Sequence, residues 1–165
     1  MSAGRASGAR ARVGVVSDTH GLVRPEMLRA LEGSDAIVHA GDVGAPEVLE
    51  ALRALAPVTA VRGNNDRGPW AQALRDDEVL EIAGRLVYVL HDLAELALDP
   101  AAATFSVVVS GHSHRPRIEE KRGVLYVNPG SAGPRRFTLP IAVARLDLPA
   151  DGPPVARIVD LEVPR

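Results

Sequence analysis

Seven residues in this chain could share a metal. They are Asp18 and His20 in Ser17-Asp18-Thr19-His20-Gly21, Asp42 after Gly41, Asn64 in Gly63-Asn64-Asn65-Asp66, His91, and His112 with His114 in Gly111-His112-Ser113-His114. Neutral imidazole is the commonest metal ligand among side chains, and residues i and i+2 of a locally extended chain lie on one side. The 18/20 and 112/114 pairs could therefore each face one pocket. The chain has no cysteine, so any ion must be held by nitrogen and oxygen. That donor set suits manganese, iron, zinc, cobalt or nickel and disfavours copper(I) or a structural zinc site. Seven ligands are too many for one four-coordinate zinc, and they suit two ions that share a carboxylate.

Each donor group follows an apolar run, which says what must position it. Arg12–Val16 reads as a buried strand ending at Asp18 and His20; Ala36–Ala40 ends at Asp42; Val58–Val61 ends at Asn64. Between them, Pro25–Glu32 and Pro46–Ala56 read as helices with proline at the first turn and apolar residues on one face. Strand, helix, strand, helix, strand with short links is the pattern of parallel βαβ units. In such sheets ligands bind beyond the carboxyl ends of the strands, where these donors fall.

The second half is richer in strands. Val79–Ala83 and Leu86–Leu90 flank Gly84-Arg85 as a hairpin, the second strand ending at His91. Leu93–Ala103 reads as one or two helical turns, and Phe105–Ser110 as the strand that delivers His112 and His114. Arg117–Glu120, Val124–Asn128, Leu139–Asp147 and Val155–Glu162 complete the strands, with turn residues between them. Pro69–Asp77 is a linking stretch with Trp70 and Leu74 as packing residues.

A chain of 165 residues that is 46% hydrophobic suits one compact domain, assigned to residues 13–165, after a flexible arm over residues 1–12. The net charge of -2 argues against a stable nucleic-acid partner. No apolar run approaches the length that spans a bilayer, so no membrane partner and a cytoplasmic location are expected. Self-association into a homo-oligomer is left open.

The five ordered motifs, completed by His91 and by Asn128-Pro129-Gly130-Ser131, resemble those of the calcineurin-like metallophosphoesterases. The match in order and spacing runs from about Val13 to Ile141, and it is nearest to the small single-domain bacterial and archaeal phosphodiesterases related to a retromer subunit. The resemblance implies an α/β fold of four layers, two packed mixed β-sheets flanked by helices. It implies that Asp18, His20, Asp42 and His114 hold one divalent ion, and that Asp42 bridges to a second completed by Asn64, His91 and His112. Manganese is the expected metal, with zinc, iron, cobalt and nickel as alternatives. The implied activity is phosphodiester hydrolysis of a small or nucleotide-like substrate by in-line attack of a metal-bridging hydroxide. A phosphomonoesterase and a non-catalytic protein-interaction scaffold are the alternatives.

Two departures bear on the mechanism. Many members of the superfamily have histidine where this chain has Asn65, and many small members read His-Gly-His where it has His91-Asp92-Leu93. An amide cannot supply a proton at neutral pH. The leaving group then takes its proton from water, from a residue such as Asp66, or not at all; Asp18, Asp42, Asn64, Asp66 and His112 form the expected catalytic set. His39, inside the second strand, is read as a buried, hydrogen-bonded residue and not a ligand. Arg62, Arg67, Arg115, Arg135 and Arg136 have the chemistry to pair with phosphate oxygens but are read as a solvated rim, and Asn128 is read as a turn residue within reach of the site.

Overall fold

The computed structural model describes residues 10–163. Most of the expected N-terminal arm lies outside them, but Ala11 and Arg12, placed in that arm from the sequence, already belong to β1 (Ala11–Val16). β1 pairs in parallel with β2 (Ala36–His39), which pairs in parallel with β3 (Val58–Ala60). On the other side of β1 lie antiparallel β9 (Ala142–Leu148) and β10 (Val155–Asp160), giving a five-stranded sheet in the order β10-β9-β1-β2-β3. The second five-stranded sheet runs β4-β5-β6-β8-β7, from β4 (Asp77–Ile82), β5 (Arg85–Leu90), β6 (Val107–Val109), β7 (Arg117–Lys121) and β8 (Val124–Asn128). β5, β6 and β8 are parallel; β4 and β7 are antiparallel edges.

The two sheets share a dry core. Val13, Val15 and Val38 meet Val87, Val89 and Val107 across the interface, with Ala144 and Leu146 filling in from β9. Alternation along β1 sends Val16 to the opposite face, against Met27 and Leu31 of α1 (Pro25–Leu31) and Val48, Leu49 and Leu52 of α2 (Pro46–Arg53). Full burial of each such side chain is worth about 1.5–3 kcal/mol. The helices have no side-chain caps and start on proline, whose fixed φ suits the first turn. α2 is shorter than the expected Pro46–Ala56, because the chain turns after Ala54 to enter Pro57. The linking stretch contains a one-turn helix, α3 (Pro69–Gln72), and Trp70 and Leu74 pack on the helical side of the first sheet, as expected.

The fourth layer is thin. The outer face of the second sheet is covered over Tyr88, Leu90 and Val108 by a 3₁₀ turn (Leu93–Glu95) and by Leu96, Ala101 and Phe105. Phe105 lies outside β6 and stacks obliquely on Tyr88, with ring centroids 5.1 Å apart. The β4–β5 hairpin turns on Ala83-Gly84, both at positive φ, one residue earlier than the expected Gly84-Arg85. No helix among the described residues is long and apolar enough to cross a membrane.

Candidate metal centre

The carboxyl ends of β1, β2, β3, β5 and β6 point to one place, and the loops that follow them are tied together there. Asp18 N–H donates to the Gly41 carbonyl at 3.0 Å, His20 N–H to the Asp42 carbonyl at 3.0 Å, and Gly111 N–H to the His91 carbonyl at 2.9 Å. These bonds tie neighbouring loops within each sheet, and two others join the sheets at the site: the His112 amide to Asp18 Oδ2 at 3.0 Å and His91 Nδ1 to the Ala40 carbonyl at 2.7 Å. The backbone is bent hard to do so: Asp18, His20, Asp42, His112 and His114 have φ of 56°, 47°, 55°, 70° and 62°. Left-handed conformations at non-glycine residues cost about 1–3 kcal/mol each and cluster at functional sites.

Two triads have ligand atoms within 4.8 Å of one another: Asp18, His20 and His114, and Asp18, Asp42 and His91. Asp18 Oδ1 is buried and has no hydrogen-bond partner. It lies 3.3 Å from His114 Nε2, 3.9 Å from His20 Nε2 and 4.0 Å from His91 Nε2. Its other oxygen is fixed by the Ser17 hydroxyl at 2.6 Å and the His112 amide at 3.0 Å. A buried acceptor left free among three imidazole nitrogens fits a cation, because such a group is otherwise costly.

Asp42 stands between the two sides, its Oδ2 3.9 Å from His20 Nε2 and 3.5 Å from His91 Nε2. Asn65 holds it with both a backbone amide to Oδ1 at 2.8 Å and a side-chain amide to Oδ2 at 2.9 Å. Burial pushes the Asp42 carboxyl up, but the bonds from His91 and Asn65 outweigh it and hold the group below the usual carboxylate range. For His91, burial pushes the imidazole down; hydrogen bonds to Asp42 and Ala40 and the Asp18 and Asp42 charges together raise it.

The second side is more open. His91 Nδ1 donates to the Ala40 carbonyl at 2.7 Å, which turns Nε2 toward Asn64 Oδ1 at 2.9 Å. The same amide oxygen is 3.3 Å from His112 Nδ1. The His112 side chain is 45% exposed, whereas that of His114 is 4% exposed. In neutral His91 the ring nitrogen and the Asn64 oxygen are both acceptors, which again fits a cation between them.

Asp66 is buried, and its carboxylate accepts from the backbone amides of Val43 (3.2 Å), Gly44 (2.9 Å) and Gly63 (2.8 Å). It ties the loop after β3 to the loop after β2 as an anchor. His39 is fully buried as expected: Gly41 N–H donates to its Nδ1 at 3.1 Å, so Nε2 carries the proton toward the Thr19 hydroxyl at 3.0 Å. Burial, with the nearby His91 charge, lowers its pKa to about 3. Arg62 is engaged with Asp76 at 2.6 Å.

Several residues make contacts that the sequence did not assign to them. Asn65 and Ser17 orient the two aspartates; Ser131 accepts nothing from them but donates its hydroxyl to the Asp18 carbonyl at 2.9 Å. Asn128 donates to the Gly111 carbonyl at 3.0 Å and the Ser113 hydroxyl at 3.1 Å, so it braces the His112–His114 loop. Glycine is required at 63 and 111 by close approach, since a Cβ would collide with Asp42 at one and with Ser17 and Asp18 at the other.

The calcineurin-like phosphoesterase superfamily domain matches residues 12–151. A probable metallophosphoesterase of Methanothermobacter thermautotrophicus is 36% identical over 151 residues, 82% of this chain and 86% of that protein. A solved archaeal phosphodiesterase superposes with a TM-score of 0.75 at 24% identity, covering 91% of this chain and 99% of that one. Vps29 of Entamoeba histolytica, solved with Zn2+, gives a TM-score of 0.69 at 24% identity and covers 90% and 98%. With the family domain spanning most of its length and the metal-type cluster where the strands end, the chain belongs to the calcineurin-like phosphoesterase superfamily.

Proposed function

We propose that this protein is a dinuclear metal-dependent phosphodiesterase acting on a small or nucleotide-like ester, working as one domain that begins with β1. The observation that carries this reading is the orphaned Asp18 Oδ1, buried among three imidazoles. In the reading, Asp18, His20, Asp42 and His114 hold one ion, and Asp42, Asn64, His91 and His112 the other. Manganese is preferred, with zinc, iron, cobalt or nickel able to use the same nitrogen and oxygen donors. Two such cations activate water at neutral pH and neutralise charge on the phosphoryl oxygens.

The chain's own residues do the positioning. Ser17 and the His112 amide aim Asp18, Asn65 aims Asp42, and the Ala40 carbonyl fixes the tautomer of His91. None of them offers a proton to a departing alcohol: Asn65 is an amide, and the Asp66 carboxylate is engaged by three backbone amides. The leaving group therefore takes its proton from water, and good leaving groups are favoured. A series of aryl phosphodiesters tests this: the reading expects log kcat to rise steeply as leaving-group pKa falls, and a flat series contradicts it.

The likeness to Vps29 supports a second reading, a protein-interaction scaffold. That neighbour was solved with Zn2+, so metal binding alone does not separate the two readings, and turnover does. Retention of all the motif ligands favours the enzyme. The ratio of diester to monoester turnover separates the phosphodiesterase from a phosphomonoesterase built on the same centre.

A further inference from the structure

Two clefts meet at the candidate metal centre. One, of about 650 Å³, is polar and runs from Asn64 and His91 past Arg62, Arg67 and Asp76. The other, of about 570 Å³, runs over the outer face of the second sheet, past Leu93, Pro116, Tyr126 and Leu139. His112 and Asp92 line both. The second cleft lies where the thin fourth layer ends over β8, which buries Val124 but leaves Tyr126 half-buried. Its floor is held in place: Tyr126 pairs with Glu119 across the strands, Arg117 bonds Glu119 at 2.6 Å, and Lys121 Nζ lies 5.2 Å from the Tyr126 ring centroid.

From this geometry we infer that the apolar cleft is the subsite for the arm that stays on phosphorus, and that this arm is a flat aromatic group. The inference rests on the phosphoesterase reading and adds a substrate class to it. A diester has two substituents on phosphorus; in an in-line displacement one departs and the other stays bonded, and two clefts at the junction give the two arms separate places. The polar cleft offers charge and hydrogen bonds. The other offers a tyrosine ring, two leucines and a proline, with a volume in the range of small-molecule sites. Leu93, two residues after His91, supplies an apolar wall beside the centre. Aromatic faces accept flat rings with little dependence on their substituents.

The test keeps the leaving group constant and changes the retained arm. Bis(p-nitrophenyl) phosphate and methyl p-nitrophenyl phosphate are compared on the manganese-loaded wild type, Tyr126→Ala and Leu93→Asp; Leu93 is 37% exposed, so that variant does not depend on refilling a core. The aryl-to-methyl ratio of kcat/KM is expected to fall by about tenfold in both variants, the scale of discrimination by an apolar pocket contact. Methyl-ester turnover should stay within about twofold of wild type by the same argument. An unchanged ratio overturns the subsite while leaving the phosphodiesterase reading intact. If no diester is turned over, that reading fails, and calorimetry decides the subsite alone. Phenylphosphonate should then bind wild type more tightly than methylphosphonate, with the difference lost in Tyr126→Ala; equal affinities overturn the inference.

Discussion

The Asp18–His20–His114 group and the Asn64–His91–His112 group use similar donors in different surroundings. The first is walled in: Asp18 and His114 are buried and three of its residues sit in left-handed conformations held by inter-loop hydrogen bonds. The second opens to the clefts, with Asn64 exposed and the His112 side chain 45% exposed. Asp42 touches both. The contrast suggests a division of labour in the proposed centre, one ion position pre-formed and tight, the other accessible to substrate and weaker.

The largest effect should come from the buried side. Asp18→Asn keeps the shape of the side chain but removes the charge that faces three imidazoles, and kcat should drop by about 10³-fold or more, with metal content falling on both sides. Elemental analysis of the dialysed protein checks the second half of that statement; full retention of both ions would break the contrast. Removing the exposed ligand is milder. His112→Ala should leave folding stability within about 0.5 kcal/mol, as for a surface substitution, while weakening one ion only. Titration of manganese against activity should then show a raised requirement and a recoverable maximum.

The smallest effect concerns stability and pH. His39 has a folded pKa of about 3 against an unfolded value of about 6.5, because burial disfavours the imidazolium. Below the unfolded value the unfolded chain takes up a proton that the folded chain refuses, so stability falls as pH drops from about 6.5 toward 3. His39→Gln removes this contribution, and urea midpoints across that window should decline less steeply than in wild type. An unchanged slope would show that His39 is not the group responsible.

Much of this arrangement was legible in the sequence because strand ends are chemically conspicuous. Apolar β-branched runs followed at once by Asp, Asn or His gave the strands and the donors together, and the hairpin and helix punctuation was set by glycine and proline. The anchoring contacts of Asp66 are not legible in that way. A carboxylate beside a motif looks reactive, while the three backbone amides that need an acceptor come from loops 20 residues or more away or from a turn, and no side-chain pattern advertises them. Asn65 was seen as a missing acid, yet its amide is what Asp42 requires. The left-handed Asp18, Asp42 and His114 were also invisible, since those residue types do not announce that conformation as glycine does. The thin fourth layer follows from Leu93–Ala103, where Asp99-Pro100 interrupts the apolar residues and only a 3₁₀ turn and irregular chain form.

Hydrolysis of an aryl phosphodiester by metal-stripped protein, before and after manganese is restored, tests the central claim most directly when wild type and Asp42→Asn are run together. The account predicts no turnover without metal, recovery with manganese in wild type, and none in Asp42→Asn, since Asp42 faces imidazoles on both sides, 3.9 Å from His20 and 3.5 Å from His91. Folded wild-type protein that stays inactive with manganese, zinc, iron, cobalt and nickel, or an Asp42→Asn variant as active as wild type, would contradict it.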